Sequence, residues 1–202
     1  MTALELADII GVICFALSGF LIAVHYKLDI LGVFISAFLT ALGGGMTRDV
    51  LANKTPFIFT DTIPVILVIA TVFISLLLKL HKIDESEAKT AFIISDAIGL
   101  VSFAITGSLV AIENDFNFLG VLILAFITAV GGGTIRDILI NWVLFILVFE
   151  FYATVVIMVW LITYVLDLLD LRSIFSLIIV FVFGVTLRLL AYYKNWHLPK
   201  LS

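Results

Sequence analysis

Long apolar runs separated by short polar connectors make up most of this chain. A membrane-spanning helix needs about 20 mostly apolar residues, which cover roughly 30 Å of hydrocarbon at about 1.5 Å per residue. Seven runs approach this length: Ile9–Val24, Ile30–Leu51, Ile63–Leu80, Ala91–Ile112, Phe118–Ile140, Glu150–Leu166 and Ile174–Tyr192. The pattern predicts an all-α integral membrane protein with seven transmembrane helices in one domain, residues 1–202.

The second and fifth runs share a motif of three glycines followed by an arginine and an aspartate. Its copies are Gly43-Gly44-Gly45-Met46-Thr47-Arg48-Asp49 and Gly131-Gly132-Gly133-Thr134-Ile135-Arg136-Asp137, which lie 131 minus 43, or 88, positions apart. The same offset extends over two units of three spans, residues 8–80 and 91–167, and leaves the seventh span, residues 173–194, outside the repeat. An odd number of spans turns the second unit upside down in the membrane, so the sequence predicts an inverted repeat.

The glycine triplets are expected to interrupt their helices. Each glycine in a helix interior costs about 1 kcal/mol relative to alanine. We therefore predict that the second and fifth helices are broken or kinked there. Carbonyl oxygens released by a break would attract cations, and nearby hydroxyl groups would extend a polar path without fixed charge. The hydroxyl residues at matching positions are Ser18, Thr106, Thr40 and Thr128. The alternative interpretation is that the glycines only allow close helix packing.

Each triplet is followed by an ionisable pair in or beside a spanning segment, and such residues are functional candidates by default. The pairs are Arg48 with Asp49 and Arg136 with Asp137. Three roles are open for the arginines: charged gates beside a path, partners of the aspartates or freed carbonyls, and snorkelling residues at the membrane surface. Pairing is the favoured primary role. Asp8 and Asp96 stand near the first span of each unit, where an N-cap is the favoured role.

Composition agrees with a membrane protein and narrows its chemistry. The chain is 63% hydrophobic and 13% charged, with a mean hydropathy of +1.30, whereas soluble domains are roughly 45–50% apolar. A net charge of −4 without a basic cluster argues against nucleic acid as a partner. The three histidines lack ligand spacing, so no metal site is predicted beyond transient K⁺. We find no nucleophile–base pair and no phosphate loop, and therefore do not expect an enzyme.

Basic residues set the expected orientation in the membrane. With the N-terminus outside, the inner side receives Lys27, Lys79, Lys82, Lys89, Arg188, Lys194 and Lys200, and the outer side receives Lys54 and Arg172. Seven against two favours an outer N-terminus and a cytoplasmic C-terminus. The apolar connector Asn141–Phe149 is expected to lie in the membrane interface or against another subunit.

These features resemble the trimeric intracellular cation channel (TRIC) family, including its bacterial and archaeal members. The resemblance rests on the paired GGG-x-x-Arg-Asp motifs, the two three-span units and the seventh span, and it covers nearly the whole chain. It implies a homotrimer with one pore per protomer, lined by the second and fifth helices kinked at Gly43–Gly45 and Gly131–Gly133. It also implies conduction of K⁺ and, to a lesser extent, Na⁺.

We expect no cofactor, and besides the permeant cations the expected ligand is bound lipid. The expected partners are other copies of the chain and membrane lipids. Animal members carry a Lys-Glu-Val motif tied to phosphoinositide binding and a longer basic tail. Here the second motif reads Gly133-Thr134-Ile135-Arg136 and the tail is short. We therefore expect a prokaryotic plasma membrane and no inositol-lipid regulation.

A secondary transporter of a small metabolite such as an amino acid is the alternative function, because inverted repeats with broken helices also occur there. Transporters usually place a dedicated substrate or coupling-ion site near the middle of the membrane. No acidic residue stands at the centre of any predicted span. The sequence therefore favours a channel and leaves the transporter open.

Overall fold

The computed structural model describes residues 2–141, 151–194 and 196, and seven α-helices lie within these residues. They are α1 (Ala3–His25), α2 (Ile30–Leu51), α3 (Ile63–Leu77), α4 (Glu85–Glu113), α5 (Phe118–Leu139), α6 (Phe151–Leu168) and α7 (Ile174–Tyr193). Six of these helices are long and apolar enough to cross a membrane, and α3, with 15 residues, is shorter. The predicted all-α membrane fold is confirmed.

The helices of the two units begin and end with the same local devices. Asp29 precedes α2 and Asn117 precedes α5, and each side chain accepts the backbone N–H three residues later, at 2.7 and 2.8 Å. These contacts satisfy backbone donors that a helix start leaves unpaired. Asn53 and Asn141 follow the same two helices in the left-handed conformation, with φ of 55° and 54°, which asparagine tolerates better than most residues. The chain therefore turns back at equivalent points 88 residues apart.

Helices α1 and α4 pack against each other in opposite directions at the centre of the molecule. The fully buried rings of Phe15 and Phe103 meet edge to face with centroids 5.2 Å apart. Each ring covers a glycine of the opposite helix, Phe103 over Gly11 and Phe15 over Gly99, where a Cβ would overlap the ring. Since α1 opens the first unit and α4 opens the second, this antiparallel contact confirms that the units are inverted.

Helices α2 and α5 cross at the glycine triplets, and the predicted break at these triplets is wrong. The helical structure continues from Ile30 to Leu51 and from Phe118 to Leu139. Close packing explains why both helices continue despite the low helix propensity of glycine. A Cβ on Gly44 would overlap the carbonyl oxygen of Thr128 in the other helix. The close approach that glycine permits compensates for its cost in the helix interior. That the two helices bend at the triplets without being interrupted stays a prediction.

The first helix of each unit begins earlier than the apolar pattern indicates. Thr2 caps α1, since its hydroxyl accepts the N–H of Glu5 at 3.2 Å and the Glu5 carboxylate accepts the N–H of Thr2 at 2.9 Å. Helix α4 begins at Glu85. Asp8 and Asp96 therefore lie inside helices, and the N-cap interpretation is wrong. Residues 142–150, which hold most of the apolar connector and Glu150, lie outside the described residues.

Candidate functional site

Arg48, near the end of α2, is the centre of a buried polar cluster that we name the first arginine site (Asp8, Arg48, Asp49 and Thr106). Its Nη1 donates to Asp8 Oδ1 at 2.8 Å and to Thr106 Oγ1 at 3.2 Å, and its Nε donates to Asp49 Oδ1 at 2.9 Å. The guanidinium also lies 5.8 Å from the ring centroid of Phe57, whose N–H donates to the second oxygen of Asp49. Arg48 therefore binds two carboxylates and one hydroxyl group.

Arg136, near the end of α5, repeats this arrangement in the second arginine site (Ser18, Asp96, Arg136 and Asp137). Its Nε donates to Asp137 Oδ1 at 2.9 Å, and its Nη1 donates to Ser18 Oγ at 2.9 Å and to Asp96 Oδ1 at 3.3 Å. The ring of Phe92 lies 5.1 Å from the guanidinium. The hydrogen-bonding side chains stand 88 positions from their counterparts in the first site, so the polar pairing follows the repeat, whereas the aromatic rings do not.

Helices α1 and α4 each contact both arginines. Asp8 and Ser18 are both on α1, whereas Asp96 and Thr106 are both on α4. On each helix, ten residues separate the two, which is about 15 Å along a helix. Each arginine is thus held by a carboxylate of its own unit and a hydroxyl group of the other unit. A shift of either helix along its axis would disturb both sites together.

The glycine crossing lies between the two arginine sites. Thr40 and Thr128 are fully buried there, and each hydroxyl donates to a carbonyl of its own helix at 2.6 Å. Their backbone carbonyl oxygens face the opposite helix, Thr40 against Gly132 and Thr128 against Gly44. The crossing therefore brings carbonyl groups from α2 and α5 together, although neither helix is interrupted.

The remaining motif glycines meet different neighbours. A Cβ on Gly43, Gly45 or Gly131 would press on Ile135, on Phe57 or on the backbone of Gly44, respectively. A Cβ on Gly133 would lie 3.6 Å from Nη2 of Arg136 and 3.7 Å from the hydroxyl oxygen of Tyr152, which is ordinary contact. Only some positions of the triplets therefore require glycine for close packing.

The two arginine sites differ in their access to the surroundings. The side chain of Asp8 is 22% exposed and borders a depression of about 440 Å³ that Glu5 and Asp61 also line. In the second site, Arg136 is 0% exposed and Asp96 is 2% exposed. Asp96 Oδ2 and Arg136 Nη2 have no hydrogen-bond partner among the described residues. The second site is therefore the more enclosed of the two.

The contacts of α1 show that the two sites lie at different depths. Asp8, which binds Arg48, is near the N-terminal end of α1, and Ser18, which binds Arg136, lies ten residues closer to its C-terminal end. Tyr26 directly follows α1, and desolvation and, as the smaller cause, the Asp137 carboxylate raise the pKa of its hydroxyl group. The two arginine sites are placed towards opposite ends of the membrane-spanning core.

Sequence reasoning missed two residues beside the second site, Arg188 and Tyr152. Arg188 is only 2% exposed, and its guanidinium lies over the ring of Tyr152 at 4.8 Å from the centroid. Arg188 is not the inner surface charge that the count of basic residues assumed, because its side chain is buried. The signal was available, since an arginine within an apolar run is a functional candidate.

Comparisons with known proteins place this chain among membrane proteins of related sequence. A family model described as Glycine transporter matches residues 5–80 and 93–167. The UPF0126 membrane protein YvgT of Bacillus subtilis is 35% identical over 202 residues, which cover 99% of this chain and 97% of that protein.

Solved structures show the same fold. A TRIC cation channel is 34% identical with a TM-score of 0.83, covering 98% of this chain and 97% of that one. The TRIC trimeric intracellular cation channel orthologue from Rhodobacter sphaeroides is 25% identical with a TM-score of 0.89, covering 97% of this chain and 100% of that one. The chain also matches the family model described as Glycine transporter, and the expected resemblance is confirmed: the chain belongs to the TRIC family.

Proposed function

We propose that this protein is a monovalent cation channel whose path runs through the crossing of α2 and α5. The observation that carries the proposal is the pair of arginine sites, which bracket this crossing from opposite ends. The solved relatives are described as TRIC cation channels, which supports the same activity here. Carbonyl and hydroxyl oxygens without fixed charge at the crossing favour K⁺ over Na⁺, because K⁺ gives up its hydration water more readily.

The arginines act as charged gates in this mechanism. Arginine stays protonated, so a guanidinium in the path repels cations. While Arg48 and Arg136 bind their carboxylates, both are buried and the crossing leaves no room for a methyl group at Gly44 or Gly132. This supports a closed state. Separation of α2 from α5 and movement of the arginines would open the path, and the released carboxylates would then attract K⁺.

Current recording on purified protein in a planar bilayer tests the proposal. With asymmetric KCl, we expect unitary currents that reverse near the K⁺ equilibrium potential, and a smaller permeability for Na⁺ when NaCl replaces KCl on one side. The alternative is a secondary transporter, with glycine as the substrate to test because the family model carries that name. Saturable glycine uptake into proteoliposomes without unitary currents would contradict the channel.

We further propose a homotrimer in the plasma membrane with one path in each protomer. The support is the description of the Rhodobacter sphaeroides relative as trimeric. Each path would then be formed within one chain, which the intrachain contacts of both arginine sites support. Light scattering in several mild detergents should give a protein mass near three times 22.3 kDa. A monodisperse monomer in all of them would exclude the trimer.

A further inference from the structure

Helix α7 brings a third buried arginine to the second arginine site. Arg188 lies outside the repeat, so the first site has no counterpart to it. Its guanidinium stacks over Tyr152 at 4.8 Å, and both side chains are 2% exposed. A planar guanidinium on an aromatic ring forms a favourable contact, which strengthens when water is excluded. Arg188 is therefore held against α6 in a fixed position.

Tyr152 also lies near Arg136. The hydroxyl oxygen of Tyr152 lies 3.7 Å from the place that a Cβ would occupy on Gly133, and Nη2 of Arg136 lies 3.6 Å from the same place. We name Arg188 and Tyr152 the α7 brace.

The brace also changes the charge balance. In the first site, one guanidinium faces the two carboxylates of Asp8 and Asp49, so one negative charge is left over. In the second site, Arg136 faces the two carboxylates of Asp96 and Asp137, and Arg188 adds a second buried positive charge beside Tyr152. The second site is enclosed and has this additional arginine near it, whereas the first site lacks one and borders an open depression. Two sites built from the same repeat therefore resist opening to different degrees.

We infer that Arg188 is a positioning residue that acts through Tyr152 to hold Arg136 on its carboxylates, which makes the second arginine site the tighter of two gates. The inference rests on the proposed channel function. Loss of the brace should release Arg136 more often and leave the α2–α5 crossing itself unchanged. The variants should therefore change how often the channel opens and not its unitary conductance.

Single-channel recording on three variants tests the brace. In Arg188→Leu the guanidinium is lost, and in Tyr152→Phe the ring stays while the hydroxyl group is removed. We expect a several-fold increase in open probability in each. Arg188→Lys keeps the charge without the planar stack and should restore part of the wild-type behaviour. The control is Arg172→Leu, which removes an exposed arginine paired with Asp167 and should change nothing.

The double variant Arg188→Leu with Tyr152→Phe distinguishes the brace from a general loss of packing. If both residues act through one contact, the double variant should open no more often than the stronger single variant. Additive effects, or unchanged open probability in the folded single variants, would overturn the inference. If Arg188→Leu does not fold, Tyr152→Phe alone tests the inference, and an unchanged open probability in that variant would overturn it.

A second readout separates failure of the brace from failure of the channel proposal. Ser18→Cys, made with Cys14→Ser, places the sole cysteine beside Arg136. Adding Tyr152→Phe should increase the labelling rate by a membrane-permeant thiol reagent several-fold, whatever the protein transports. An unchanged labelling rate would overturn the brace even where wild-type K⁺ currents are present. Absent K⁺ currents with faster labelling would overturn only the channel.

Discussion

Arg48 and Arg136 make matching contacts in different surroundings. Both bind two carboxylates and a hydroxyl group, yet the carboxylate partner on the neighbouring helix is 22% exposed for Arg48 and 2% exposed for Arg136. Water can therefore solvate the first site if a contact is lost. In the second site, no exposed side chain among the described residues gives water access to replace a lost contact. Removing one partner of a buried pair leaves an unpaired charge in a medium that solvates it poorly. The equivalent residues should thus differ in their effect on stability.

Asp96→Asn and Asp8→Asn compare the two sites directly. We predict that Asp96→Asn lowers the free energy of unfolding by about 3 kcal/mol because Arg136 keeps its charge in a closed environment. Asp8→Asn should cost less, roughly 1 kcal/mol, because Asp8 is partly exposed and water can reach the place where the contact is lost. Thermal unfolding in detergent measures both. The matched control is Asp167→Asn at the exposed pair with Arg172, which should be nearly neutral. Equal losses at positions 8 and 96 would contradict the difference in burial.

Individual contacts were partly predictable from the sequence. The pairing of each arginine with the next aspartate was expected, since the two are adjacent and both stand in an apolar segment. The roles of Asp8 and Asp96 were missed because the apolar runs placed the helix starts too late. For α1 the correcting signal was visible as Thr2 followed by Glu5 three residues on, the pattern of a capping box. The hydroxyl contact across the repeat depends on tertiary packing, which spacing does not reveal.

Among the helices, the glycine triplets show how packing overrides propensity. The low helix propensity of glycine predicted a break, but both helices continue because they approach each other closely at Gly44 and Gly132. The sequence offered two interpretations of the glycine triplets, an ion path and close helix packing, and this crossing is compatible with both. The crossing is tightly packed and also lies between the arginine sites.

Two alanine substitutions separate close packing from helix flexibility. In Gly44→Ala the methyl group would overlap the Thr128 carbonyl oxygen, so we predict a loss of about 1–3 kcal/mol in unfolding free energy. Gly133→Ala has room and should stabilise the helix by up to about 1 kcal/mol. If opening bends the triplet, Gly133→Ala should also reduce the open probability in bilayer recordings. Wild-type stability in Gly44→Ala would show that the crossing is looser than described.

For the whole molecule, the membrane fold and its inversion were predictable from the sequence because they depend on regular features. The bounds of α2 match the prediction and those of α5 differ by one residue. The count of basic residues was less reliable as a guide to orientation, because Arg188 is buried. Without it, six basic residues remain on the inner side against two on the outer side. The contribution of α7 to the second site could not be foreseen, since α7 has no partner in the repeat.

Orientation in the membrane is a prediction for the whole chain. The remaining excess of basic residues still favours an outer N-terminus and a cytoplasmic C-terminus. Replacing Cys14 by serine and introducing a cysteine between Lys82 and Lys89 gives one site for a membrane-impermeant thiol reagent. We expect labelling in inside-out vesicles and none in intact cells. Labelling of intact cells would show that the orientation is opposite to the predicted one.

The central claim is that cations pass through the crossing of α2 and α5, and Thr128→Cys tests it most directly. In a Cys14→Ser background, a positively charged methanethiosulfonate reagent applied during recording would place a bulky cation at that crossing. We predict that K⁺ current falls as the thiol reacts. In the matched control, Ile179→Cys on the exposed face of α7, reaction should leave the current unchanged. Full K⁺ current after mass spectrometry shows complete labelling at position 128 would contradict the account.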